Sequence, residues 1–488
     1  MVYSNSVWPL VAVMLPLLGT VAILFSGRRP NLRESWTLAA GIGMFLVVVS
    51  MLPSVLAGGG FVVTLATVVP GVPLQLRVDP LGMFFALVAS FLWILTSIYS
   101  IGYMRALKEH DQTRYFAFFA VAIAATIGVA FSANLLTLYL FYEALSLSTY
   151  PLVTHEKNPE ARASGRKYLT YILGTSIGLV LPAMVIVYQL TGTLDFTQGG
   201  ILAGKASPEV LALLLVLLLF GFAKAAIMPF HGWLPAAMVA PTPVSSFLHG
   251  VAVVKVGVFS ILRVIFHIIG PVQLAQADIG WIVTTLASVT LLAASLVALT
   301  QDNLKRRLAY STIGQLSYMI LGAGMLTAAG MTGGVLHIAM HAFGKITLFF
   351  CAGAIYVASH KKYVSEMDGL GHQMPVTFLA FFLGSLSIIG MPPLGGFLSK
   401  WNLLVGAVQA HNLVLVAVLL FSSLLNAAYF FPVVYRGFFA APKEPLTGGI
   451  REAPLFCLIP LSVTAIGSVL LFFYPGIFLE LVHKAIFP

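Results

Sequence analysis

Residues 209–255 read EVLALLLVLLLFGFAKAAIMPFHGWLPAAMVAPTPVSSFLHGVAVVK. This stretch places Lys224 inside an apolar run, interrupts that run at Pro229, and sets His249 and Lys255 in the next one. An ammonium at bilayer depth costs roughly 3 kcal/mol or more, so such lysines face a bundle interior or a watered cavity and have a task there. A proline that breaks a helix at that depth strands backbone groups, which is tolerated only where the segment is buried in protein or lines a polar cavity. A lysine beside a broken helix therefore reads as part of an ion pathway.

The composition agrees. Charged residues make up 9% of the chain and hydrophobic residues 59%, against about 25% charged in soluble domains. Apolar runs long enough to cross a bilayer recur near residues 7–26, 36–57, 80–104, 115–132, 133–154, 162–190, 209–238, 242–269, 280–300, 306–326, 332–358, 375–409, 411–437 and 453–484. The expected fold class is an all-α polytopic membrane protein with about fourteen transmembrane helices. No large soluble domain fits between the spans. Cys351 and Cys457 both lie in apolar segments, so neither a disulfide framework nor a thiolate metal site is expected. With no basic residue before it and no small-residue cleavage site after it, the first run reads as a retained helix and not a signal peptide.

A formal charge of +10 is explained by where the charges lie. Basic residues gather in alternate connections: Arg28, Arg29 and Arg33; Arg105, Lys108 and Arg114; Lys157, Arg162, Arg166 and Lys167; Lys305, Arg306 and Arg307; Lys361 and Lys362; Arg436, Lys443 and Arg451. The other connections hold Arg77 and Lys205, with Lys484 near the carboxyl end. The positive-inside rule then puts both termini outside the cytoplasm of a bacterial or archaeal cell, with the basic loops within it. Scattered over short loops, these charges form no single patch for nucleic acid.

Five basic side chains remain inside spans: Lys224, Lys255, Arg263, Lys345 and Lys400. Arg263 lies toward a helix end and is expected to snorkel to the interface. Glu143 is the carboxylate near the middle of an apolar span. Any one of these could be a structural pair between helices, but one glutamate cannot neutralise three lysines, and that imbalance favours titrating groups. Asp79, followed by Pro80, reads as a helix N-cap. Asp302 reads as a cap or loop charge.

A second broken helix is expected at residues 375–409, where Pro392 and Pro393 precede Gly395 and Gly396, with Lys400 just beyond. Each break falls in the fourth of five spans, which is the sequence sign of a transporter repeat. The expected organisation is an N-terminal three-helix segment (1–114), a first five-helix repeat (115–269) broken near 229, a second repeat (280–437) broken near 392, and a C-terminal loop and last helix (438–488). Five is odd, so the repeats are inverted. Between the breaks lies HIAMHAFGKITLFF, residues 337–350, which puts His337, His341 and Lys345 on one helix face. Such a row suits proton relay. Two other readings stand beside it. An HxxxH pair can bind zinc, although no glutamate lies between these histidines and Lys345 would repel a cation. The histidines could equally serve as contacts between spans.

The run QDNLKRRLAYSTIGQLSYMILGAG, with HAFGKITLFF, PFHGWLPAAMVAPTPVSSFLHGVAVVKVGVF and MPPLGGFLSKW, resembles the proton-conducting antiporter family. That family comprises the large subunits of the Mrp cation/proton antiporter, subunits L, M and N of respiratory complex I, and related subunits of membrane-bound hydrogenases and inorganic-carbon uptake complexes. The resemblance covers nearly the whole chain and implies fourteen helices with inverted five-helix repeats. It also implies roles: Glu143 as the glutamate of the fifth helix, Lys224 as the lysine of the broken seventh, Lys255 and His249 as the lysine and nearby histidine of the eighth, and Lys400 as the exit-side residue of the broken twelfth. Lysine at this last place is more like the D type of Mrp large subunit, or the L and N types of complex I, than the M type. HAFGK looks more like the L type.

The expected function is proton translocation, with or without sodium exchange, by one membrane subunit of a multisubunit complex. Partners would be homologous antiporter-like subunits, small membrane subunits and, in a redox complex, a hydrophilic arm. Burial disfavours an ammonium and a nearby carboxylate favours it, so opening and closing a Glu143–Lys224 pair drives a proton onward. The expected route runs through His249 to Lys255, along His337, His341 and Lys345, to Lys400. No catalytic centre, cofactor or metal is expected on this chain. A haem would need histidines on facing helices, whereas His337 and His341 share one. The rival of a different class is an independent small-solute secondary transporter, which the lack of further buried charges disfavours.

Overall fold

In hydrocarbon an apolar run can satisfy its backbone groups only within itself or in a closed sheet, so the long runs are expected to be helical. The computed structural model describes residues 2–442 and 449–487, which leaves Lys443 outside the described residues. Ten described helices are long and apolar enough to cross a membrane, and shorter apolar helices occupy Pro208–Gly221 and Pro375–Ile389. The chain is thus a multi-pass helical membrane protein.

Burial sorts these helices into centre and rim. The most apolar windows of Thr242–Ile269 and Ala328–Ser359 are fully buried by the rest of the chain, whereas those of Trp8–Phe25 and Pro30–Leu56 are one-third buried. Ala328–Ser359 is 32 residues long, about 48 Å at 1.5 Å per residue, and carries His337, His341 and Lys345 near its middle. Small residues let its neighbours come close. A Cβ on Gly333 would lie 2.7 Å from the Leu403 nitrogen and 2.9 Å from the Ser399 carbonyl oxygen, so this helix touches Gly395–Gln409 backbone to backbone.

The expectation of an all-helical chain needs amendment. A three-stranded sheet, β1 (Val2–Asn5), β2 (Gly59–Val69) and β3 (Val72–Val78), covers one end of the bundle in the order β1-β2-β3. β1 runs parallel to β2, while β2 and β3 form an antiparallel hairpin around Pro70 and Gly71. The reason is local: GFVVTLATVVPGVPLQLRV is rich in β-branched residues around a Pro-Gly turn.

The opposite end gathers the loop charges. Arg33 donates to the Gln112 amide oxygen at 2.7 Å, and Arg105 pairs with Glu34. Lys157 pairs with Asp111, and Arg436 with Asp368. Asp302 is a loop charge, accepting from the Ser365 nitrogen and hydroxyl at 3.0 and 2.7 Å, while Asn303 caps the following helix. At the sheet end Arg77 donates to the Phe196 carbonyl at 2.5 Å.

Both interrupted helices are present, with one shift of position. The first ends at Gly221, and a short 3-10 turn, Ala223–Ala225, follows. The break therefore begins before Pro229 and contains Lys224, because the chain turns at Phe222 and takes a left-handed conformation at Ala226. The second opens between Ile389 and Gly395, at Pro392 and Pro393. A third was not anticipated: the helix ending at Gly250 restarts at Val253, between His249 and Lys255. The last expected span, 453–484, is also divided, into Leu455–Phe473 and a surface helix Gly476–Ile486, at Tyr474 and Pro475.

Asp79 is the anticipated N-cap, accepting from the Gly82 nitrogen at 2.8 Å. Arg263 is not an interface anchor. Its guanidinium is fully buried and grips Asp79 with both terminal nitrogens, at 2.5 and 2.8 Å. A charge that cannot reach water needs a partner, and the N-cap carboxylate supplies one.

Candidate functional site

The first break sets Lys224 against the Leu135–Val153 helix. Its Nζ donates to the Tyr142 carbonyl at 2.5 Å and to the Ser146 hydroxyl at 2.7 Å, and sits 3.2 Å from the Tyr142 ring centroid. The Tyr142 hydroxyl accepts from the Lys224 backbone nitrogen at 3.2 Å, and the Trp233 indole donates to the Ala223 carbonyl at 3.0 Å. Backbone groups released by the break thus find side-chain partners. The turn lies directly on the Val253–Arg263 helix. A Cβ on Gly257 would fall 2.1 Å from the Ala225 nitrogen, so only glycine admits this approach.

Glu143 is adjacent in sequence to Tyr142 but does not touch Lys224, and neither carboxylate oxygen has a hydrogen-bond partner. The pair is therefore separated in this structure. Ser146 lies three residues on from Glu143, on the same helix face, and is held by the lysine. Glu143 also borders an exposed stripe that includes Leu140 and Leu147.

Across the third break the groups converge. His249 is buried, its ring nitrogens have no hydrogen-bond partner, and its ring lies 4.8 Å from that of Phe349. Lys255 and His341 are hydrogen-bonded directly, Nζ to Nδ1. The His341 and His337 ring centroids are 5.9 Å apart. His337 engages the Ser399 hydroxyl through Nδ1 at 2.8 Å and the Gln315 side-chain oxygen through Nε2 at 2.9 Å. With three of these four nitrogens so engaged, the HxxxH pair does not present a metal site.

From His337 the row reaches Lys400 through two neutral amides. Oriented so that its oxygen faces donors, Asn426 accepts from Gln315 Nε2 at 3.1 Å and from Lys400 Nζ at 2.8 Å. Lys400 also contacts the Ile389 carbonyl at 3.2 Å, a group freed by the second break, and the Ser423 hydroxyl at 3.3 Å. Lys345 stands on a side branch, not between His337 and Lys400. It donates to Ser311 at 2.8 Å; the Tyr429 hydroxyl meets Ser311 at 2.9 Å and also bonds Asn426.

Sequence reasoning thus named the charged members and missed the neutral ones that join them: Tyr142, Ser146, Gln315, Ser311, Asn426 and Tyr429. A signal was available. Ser311, Gln315 and Tyr318 recur at four- and three-residue spacing in an apolar span, as do Ser422, Asn426 and Tyr429.

A bundle with two interrupted helices and a buried row of lysines, histidines and amides defines an antiporter-like class of membrane protein. Residues 132–426 match the family described as NADH:quinone oxidoreductase/Mrp antiporter, transmembrane, and residues 70–116 match the N-terminal family of complex I chain 5. NADH-quinone oxidoreductase subunit N of Desulforudis audaxviator is 33% identical over 417 residues, covering 82% of this chain and 81% of the relative. Subunit L of the same kind of enzyme from Mycobacterium tuberculosis is 33% identical over 489 residues, covering 96% and 74%. A chain of the Mrp complex from Dietzia sp. superposes with a TM-score of 0.87 at 22% identity, covering 98% and 97%, and shares the fold. The chain belongs to the NADH:quinone oxidoreductase/Mrp antiporter family; it is an antiporter-like, proton-translocating membrane subunit.

Proposed function

We propose that protons cross this chain from Glu143 and Lys224, past His249 to Lys255, through His341 and His337, and by way of Gln315 and Asn426 to Lys400. The observation that carries this reading is the run of contacts from Lys255 to Lys400, in which each group is within hydrogen-bonding or ring-contact range of the next. Imidazole can accept on one nitrogen and release from the other, so the histidine pair suits a relay. Amides do not titrate; Gln315 and Asn426 orient Lys400 and the waters that carry the proton. Lys345 biases the row electrostatically from its side branch.

Coupling resides in Glu143 and Lys224. A buried ammonium is favoured by a carboxylate and disfavoured without one. The separated pair seen here corresponds to the state in which Lys224 passes its proton on, and approach of Glu143 recharges it. Pro229, Pro392 and Pro393 act as hinges that keep the two breaks open. The fourteen-span layout, with inverted repeats at 115–269 and 280–437 and both termini outside, is part of the same reading; the comparable positions of the breaks and the gathering of loop cations at one end support it.

The chain works beside similar antiporter-like and small membrane subunits, exchanging sodium in an Mrp-type setting or driven by a hydrophilic arm in a redox setting. The exposed apolar stripe beside Glu143 supports a neighbour at that face. The test is proton movement into vesicles containing the whole complex. Lys224→Ala should abolish it while assembly persists, and undiminished movement in a well-assembled variant overturns the route.

A further inference from the structure

Outside the buried row, the charged end of the bundle brings together Glu109, His110 and His155. One ligand atom from each lies within 4.8 Å of the others. A Glu109 carboxylate oxygen is 3.9 Å from His110 Nδ1 and 4.0 Å from His155 Nε2. His110 Nε2 is 3.0 Å from the His155 carbonyl oxygen. A carbonyl can only accept, so Nε2 carries the hydrogen and Nδ1 is left with a lone pair on the side of Glu109. A histidine that ligates a metal through one nitrogen usually donates its other N–H to a carbonyl or carboxylate in this way.

The second observation is His155 itself. It is fully buried at the end of the helix that bears Glu143, and neither ring nitrogen has a hydrogen-bond partner. Leaving a buried polar atom unpaired costs about 1–3 kcal/mol, and a metal at Nε2 removes that cost.

We propose that Glu109, His110 and His155 bind one zinc-class divalent metal ion. Two imidazoles and a carboxylate are a borderline-soft set that suits zinc, cobalt or nickel and not magnesium or calcium. Bonds of about 2.0–2.1 Å place tetrahedral ligand atoms roughly 3.3 Å apart, so the three must close by under an ångström or so. Glu109 and His110 lie on the short connection between Pro80–Ala106 and Gln112–Ala130, and can move toward the fixed His155. Water fills the fourth position. The nearby cations do not forbid the ion: Lys157 and Arg114 both lie against Asp111. Glu156 adds a further negative charge close to Glu109. No metal site was expected from the sequence, because Glu109 and His110 lie more than forty positions from His155.

The full chain, purified without a histidine tag, is titrated with Zn2+ against a competing chromophoric chelator, and separately with Co2+ while visible absorption is followed. One equivalent of Zn2+ is expected, insensitive to excess Mg2+, with tetrahedral-type Co2+ absorption. His110→Gln and Glu109→Gln should each weaken Zn2+ binding about tenfold or more and remove the Co2+ bands. His110 is 45% exposed, so its variant tests ligation without disturbing the interior. Absence of a stoichiometric Zn2+ equivalent in the unaltered chain, or unchanged binding and spectra in both variants, overturns the proposal.

Discussion

Arg263 and Asp79 show how far one side chain departs from its place in the sequence. Near a helix end an arginine reads as a snorkelling anchor, and its truncation as mild. Buried and bidentate, it instead holds a carboxylate that also caps a helix. Truncating one partner of such a pair leaves the other charge stranded, so Arg263→Ala should lower stability by about 3–5 kcal/mol, read as an earlier thermal unfolding transition in detergent. Asp79→Leu combined with Arg263→Leu should recover much of that loss. Burial alone would raise the Asp79 carboxyl, but the Arg263 guanidinium outweighs it and holds it down at about 2, below the ordinary 3.8. The ion pair's contribution is therefore full above about pH 4 and lost as pH falls through about 2, and acid unfolding of the native chain should show that step while Asp79→Asn lacks it. The charged members of the row were legible because a charge in hydrocarbon demands a reason. Gln315 and Asn426 were not, because an amide is cheap enough to pass as an ordinary helix contact. Gln315→Leu should cut proton movement about tenfold or more with the fold intact, by unhooking His337 from Asn426.

At the scale of elements, the helices and both anticipated breaks could be read from apolar length and from paired prolines and glycines. What could not be read was where each break begins. The first opens at Phe222 because the turn is set by packing on Gly257, a contact from another helix that no local pattern announces. Alanine is ordinarily the better helix former by about 1 kcal/mol. Here Gly257→Ala should push the Ala223–Ala225 turn outward and depress transport while helix content stays unchanged by circular dichroism. The third break, between His249 and Lys255, had no proline to mark it. The sheet was hidden for a different reason: its strands sit between apolar spans, so hydropathy merged them into linkers while their β-branched alternation went unread.

For the whole molecule, segregation of cations to one end is what the charge pattern led us to expect, and it orients the chain. Lys205 and Lys362 are exposed and lie in connections assigned to opposite ends, while both native cysteines are buried. Lys205→Cys should react with an impermeant maleimide in intact cells, and Lys362→Cys only after permeabilisation; the reverse pattern would invert the assignment. The two ends are also fastened by different forces. Strand hydrogen bonds close one, and partly exposed pairs such as Lys157 with Asp111 and Arg436 with Asp368 close the other. Electrostatic range shrinks from about 8 Å at physiological ionic strength to about 3 Å at 1 M salt. Dissolved salt is consequently a lever with a side: concentrated chloride loosens the cation-rich rim and leaves the woven rim shut, so that amide exchange quickens around 107–111 and stays slow along 59–78.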